Sequence, residues 1–118
     1  MKTKVLIVED EGPFARSLAQ LLNRHGIEAW QAGDIDTALD LAAQVRPDVL
    51  VVDWMLKSHS DGIDLAQTLQ RGGLRCRVII MSGFPSPDLG GRLDGIENAS
   101  FLAKPFGPDE LLALIRSG

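Results

Sequence analysis

Five short runs along the chain read as strands, and the residues between them place their apolar side chains at helical spacing. The runs are Val5–Val8, Glu28–Gln31, Val49–Val52, Val78–Met81 and Ser100–Ala103. The first, third and fourth are apolar at every position, as parallel strands covered on both faces are. Between the first two runs, Phe14, Leu18, Leu21 and Leu22 follow an i, i+4, i+7, i+8 stripe. Pro13 suits the first helical position there and Gly26 suits the exit. A second helix is expected from Asp34, a good N-cap, towards Val45, ahead of Pro47. A third is expected from Gly62 to Gln70, closed by Gly72 and Gly73. The last begins at Gly107-Pro108, with Asp109 and Glu110 complementing the dipole at its start and Leu111, Leu112 and Ile115 turned inward.

The connection "GFPSPDLGGRLDG" before the fifth run is the weakest element. Leu89 and Leu93 can share one face, but Gly90 and Gly91 each cost a helix about 1 kcal/mol. A short or irregular fourth helix is expected. Strand–helix alternation repeated in this way gives a doubly wound α/β sheet with helices on both faces and right-handed crossovers.

Composition narrows this picture. The 118 residues form one domain, residues 1–118, large enough for one core. Hydrophobic residues make up 45% and charged residues 24%, an ordinary globular balance. A net charge of −4 supplies no basic surface for phosphate backbones, so no direct nucleic-acid partner is expected. A single cysteine, Cys76, rules out an internal disulfide and fits a reducing, cytoplasmic setting. No apolar run approaches the roughly 20 residues that cross a bilayer, and the N-terminal run is too short for a signal peptide. No membrane contact is expected of this domain.

Candidate chemistry gathers at one edge. In open α/β sheets ligands bind at the carboxyl ends of the strands. The first strand ends at Glu9, Asp10 and Glu11, the third at Asp53, the fourth at Ser82 and the fifth at Lys104. Any one of these is ordinarily a cap or turn residue. Together they crowd negative charge, which is unfavourable unless a cation is present. Mg2+ takes oxygen ligands and keeps several waters, so a few carboxylates and a carbonyl suit it. A lysine and a hydroxyl beside such a site suit an anion with several oxygens, and phosphoryl transfer to a carboxylate uses these parts.

Four motifs in order, "VEDE", "VVDWML", "IIMSG" and "FLAKPF", span nearly the whole chain. On them the sequence resembles the response-regulator receiver domains of two-component signalling. The resemblance implies a flavodoxin-like five-stranded sheet of order 2-1-3-4-5. It implies that Asp53 accepts a phosphoryl group from a histidine kinase or a histidine phosphotransfer domain. It implies Mg2+ held by Asp10 and Asp53, by Glu9 through water, and by the backbone carbonyl of Met55. Ser82 and Lys104 would each engage a phosphoryl oxygen, and Phe101 matches the aromatic that turns inward on activation. The signal would leave through the fourth helix, fifth strand and fifth helix, to a downstream protein or a covalently linked output or kinase domain. Such a domain is not an enzyme beyond its own Mg2+-dependent phosphorylation and dephosphorylation.

The chain departs from the family's pattern at Lys57, where many relatives have proline, and in "LKSHSDG", one residue longer than usual before Gly62. His59 reads as a solvated loop histidine, His25 as a helix-end residue, Trp30 as packing, and Trp54 as a reporter beside Asp53. A phosphorylation-independent docking module on the same fold is the alternative function. A Mg2+-dependent phosphatase is a third, disfavoured because "VEDEG" lacks the Thr or Val that D-x-D-x-[TV] requires. The chain could be a stand-alone regulator, a piece of a longer regulator or the receiver of a hybrid kinase, with "SGFP" and the C-terminal stretch most like the last.

Overall fold

The computed structural model describes residues 2–56, 61–83 and 91–117. Five strands form in the expected places: β1 (Lys4–Val8), β2 (Glu28–Ala32), β3 (Val49–Asp53), β4 (Arg77–Ser82) and β5 (Ala99–Ala103). Among the described residues four full helices separate or follow them: α1 (Gly12–Arg24), α2 (Ile35–Val45), α3 (Gly62–Arg71) and α4 (Pro108–Arg116). The last is the helix expected fifth in the chain. Of the expected fourth helix, residues 91–93 are helical and Leu93 is half-buried. Leu89, Lys57 and His59 lie outside the described residues.

The sheet runs β2-β1-β3-β4-β5 with every pairing parallel, as the resemblance implies. The helix ends behave as their residues dictate. Asp34 caps α2 by accepting from Thr37 N at 2.7 Å, and Asp61 caps α3 by accepting from Ile63 N at 2.7 Å. At the end of α1, His25 Nδ1 lies 3.1 Å from the Leu21 carbonyl, and Gly26 follows at φ 77°, a left-handed exit that glycine adopts without penalty.

Strand side chains alternate between two cores. On one side Leu6, Val8, Leu50, Val52, Val78 and Ile80 pack against α2 and α3. On the other, Val5, Ile7, Val51, Ile79 and Met81 meet Leu18 and Leu22 of α1 and Leu111, Leu112 and Ile115 of α4. Burial of Val5–Val8, Val49–Val52 and Val78–Met81 on both faces explains why these runs are apolar at every position. Trp30 packs on the α2/α3 side, as expected. Cys76 is buried, and that burial pushes its thiol up to about 11, so it stays protonated and unreactive at neutral pH. No helix among the described residues is long and apolar enough to cross a membrane.

Candidate functional site

The parallel register brings the strand ends level. Val8 pairs with Val52, which puts Glu9 beside Asp53, and Asp53 pairs with Met81 one step before Ser82. Ser82 in turn pairs with Ala103, one step before Lys104. Backbone bonds carry the ladder past the strand ends. Glu9 N donates to Ala32 O at 3.0 Å, Trp54 N to Met81 O at 2.8 Å and Lys104 N to Ser82 O at 2.8 Å. The rim is therefore held by the same bonding that holds the sheet.

Alternation then sorts the side chains. Glu9, Asp53 and Lys104 continue the series Ile7, Val51 and Leu102, on the side covered by α1 and α4. Ser82 continues Val78 and Ile80, and half-buried Phe101 packs on that opposite, α2/α3 side.

Carboxylate oxygens of Glu9, Asp10 and Asp53 lie within 4.8 Å of one another. Lys104 Nζ sits 3.4 Å from Glu9 Oε2 and 3.5 Å from Asp53 Oδ2. Glu9 is only 3% exposed. That burial, reinforced by the charge of Asp53 and a hydrogen bond with it, pushes the Glu9 carboxyl up to about 7, with Lys104 opposing the shift. One ammonium does not fully offset the crowded acids, so Glu9 holds a proton across much of the acidic range. A bound dication would take over that neutralising role. Three carboxylates are hard oxygen donors, and two or three such donors with water completing the shell is the arrangement Mg2+ accepts. The donor set fits the ion.

The ammonium has a further neighbour that the motifs did not announce. Lys104 Nζ lies 4.8 Å from the centre of the Phe14 ring, in the first turn of α1. Phe106 meets the same ring edge-on, with centroids 6.0 Å apart and planes at 63°. The Lys104-Pro105 peptide bond between these two residues is cis.

Behind Asp53 the chain approaches itself closely. Gly62 N donates to Trp54 O at 2.8 Å. A Cβ at Gly62 would fall 2.2 Å from Asp53 O and 2.8 Å from Val52 Cγ2. From sequence Gly62 was only a helix start; its steric reason lies in this contact. Asp61 and Asp64 also form ion pairs with Arg92, which ties the start of α3 to the 91–93 segment. Met55, two residues past Asp53, pairs as an isolated bridge with Asp61 and is 56% exposed. Trp54 Nε1 is buried with no partner among the described residues. A broad groove of about 800 Å3 opens at the opposite end of the sheet, near Arg71, Cys76 and Asn98, and shares no residue with the carboxylate cluster.

Residues 5–116 match the family model of the response regulator receiver domain. The phosphate regulon transcriptional regulatory protein PhoB of Pseudomonas aeruginosa is 31% identical over 115 residues, 96% of this chain and 50% of its own length. The chain thus spans about half the length of such curated relatives. Among solved structures, the receiver domain of the Francisella response regulator 1452 is 31% identical with a TM-score of 0.84, covering 98% of this chain and 95% of its own. The chemotaxis protein CheY4 of Vibrio cholerae, 23% identical, shares the fold with a TM-score of 0.92 over 99% of this chain and 98% of its own.

Proposed function

The chain belongs to the response regulator receiver domain family, and on that premise we propose that it accepts a phosphoryl group on Asp53 from a histidine kinase or a histidine phosphotransfer domain. The observation that carries this reading is the placement of Asp53 within reach of two further carboxylates and of the Lys104 ammonium at 3.5 Å. An Asp53 oxygen attacks phosphorus, the P–N bond of the donor's phosphohistidine breaks, and its electron pair returns to the imidazole. Asp10 and Asp53, with Glu9 through water and the Met55 carbonyl, would hold Mg2+, which would neutralise the phosphoryl oxygens. Lys104 keeps its charge and shifts its ion pairing from Glu9 and Asp53 towards a phosphoryl oxygen. The Ser82 hydroxyl donates to another. Later attack by water on phosphorus cleaves the acyl phosphate and resets the domain, so the only reactions it catalyses are its own.

Ser82 and Phe101 share one side of the sheet, which supports a coupled switch: the serine follows the phosphoryl group and the aromatic takes up space on the inner side. Phosphorylation shifts a pre-existing equilibrium by a few kcal/mol at most. The readout face is the segment before β5 together with β5 and α4. It faces a downstream protein or a covalently linked output or kinase domain in the cytoplasm, without direct contact to nucleic acid or membrane. We take residues 1–118 as one receiver domain.

Incubation with acetyl phosphate and Mg2+, followed by intact-mass measurement, tests the reading. One added phosphoryl group is expected, absent in Asp53→Asn and without Mg2+. No adduct in the wild type would overturn it and favour a constitutive docking role.

A further inference from the structure

We propose that Phe14 is a positioning residue for the Lys104 ammonium, holding it over an aromatic face between Glu9 and Asp53. This rests on the reading of Asp53 as phosphoacceptor and names a residue that the four motifs do not contain. The ammonium has two carboxylate neighbours at 3.4 and 3.5 Å, both longer than a good charge-assisted hydrogen bond. It is therefore not locked to either acid. The third neighbour is the Phe14 ring, 4.8 Å from Nζ to centroid, inside the roughly 6 Å range of a cation–π contact.

A ring face suits this task. Its attraction for a cation is broad in direction, so the ammonium can shift from carboxylate to phosphoryl oxygen while staying over the ring. Loss of the ring would let a long side chain with several rotamers spread into solvent or settle on one acid. The ring itself is fixed. Phe14 sits in the first turn of α1, flanked by buried Ala15 and Leu18, and its edge contact with Phe106 comes from the loop that also carries Lys104. Lysine and buttress thus grip the same ring from one short segment.

Two measurements test this. In the metal-free protein, the Lys104 Hε resonances are expected upfield of the other lysines through the ring current of Phe14. The shift should vanish in Phe14→Leu and persist in Phe14→Tyr. A wild-type resonance at the ordinary lysine position, or one unmoved by Phe14→Leu, would overturn the proposal. Second, with saturating Mg2+, Phe14→Leu should slow adduct formation from acetyl phosphate by about threefold to tenfold, the scale of a partly desolvated cation–π contact, with Phe14→Tyr near wild type. In a Lys104→Ala background the same leucine change should alter the rate by less than about twofold. An equal loss in both backgrounds would show that Phe14 acts only as packing, and would overturn the assignment. A wild-type protein that forms no adduct defeats the phosphoacceptor reading instead, and the ring-current measurement then decides the Phe14 proposal alone.

Discussion

Lys104 Nζ and Glu9 Oε2 stand 3.4 Å apart although 95 positions separate them in the chain, and the carboxylate of the pair is almost wholly buried. Burial at that depth penalises the Glu9 carboxylate, and the Lys104 contact only partly offsets it. Its carboxyl rises from 4.5 to about 7 chiefly through burial.

The consequence for stability has a definite sign. Folding raises this group's pKa, so between pH 4.5 and about 7 the folded state binds a proton that the unfolded state has released. The stabilisation is complete below 4.5 and is lost as pH rises through about 7, a swing of roughly 3 kcal/mol at most. Urea denaturation in EDTA should show this decline, flattened in Glu9→Gln. At pH 8 without metal, Glu9→Gln should be the more stable by about 1–2 kcal/mol, because it removes a buried charge but also the Lys104 pairing. Saturating Mg2+ should reverse that order, since binding stabilises the wild type.

Gly62→Ala should cost at least about 2 kcal/mol, because its methyl group would meet backbone, not a side chain that can turn aside. The same collision displaces Asp53, so phosphorylation by acetyl phosphate should fall with stability. Urea midpoints and intact mass measured on one sample check both.

Asp61 and Arg92 form one ion pair, yet their truncations should differ. Asp61→Ala removes the cap of α3 and should cost about 1 kcal/mol or more. Arg92→Ala removes a side chain that is 36% exposed and should cost no more than about 0.5 kcal/mol. Chemical denaturation of the two variants and their double mutant separates cap from ion pair.

Trp54 directly follows Asp53 and hides its indole nitrogen, so its emission should respond when Mg2+ reaches the carboxylates. Titration with Mg2+ should give a saturable change. Asp10→Asn should weaken the apparent affinity by at least about tenfold, the scale found even for outer-shell partners. An unchanged titration curve in Asp10→Asn would remove that residue from the metal site.

Strands β1, β3 and β4 were legible because burial on both faces leaves no room for polar residues. The order of the sheet was not in the periodicity; it came with the four motifs, and the pairings agree with it. The gathering of Glu9, Asp10, Asp53 and Lys104 was likewise visible as a set of strand ends. What stayed hidden depends on distance through space. Phe14 belongs to the same apolar stripe as Leu18 whether its ring meets only the core or also a cation, so spacing could not reveal the second contact. Arg92 and Asp61 lie 31 residues apart with no pattern joining them. Gly62 looked like helix punctuation because sequence carries no record of a carbonyl 2.2 Å from where its methyl would be.

Because Glu9, Asp53 and Lys104 project to one side of the sheet while Ser82 and Phe101 project to the other, the two halves of the proposed switch have separate walls. On the proposed reading, residues lining the α1 wall would tune how long the phosphoryl mark survives, and those lining the α3 wall how strongly it is heard. A lineage could thus retune timing and loudness one at a time, with the serine at the rim as the shared wire between them.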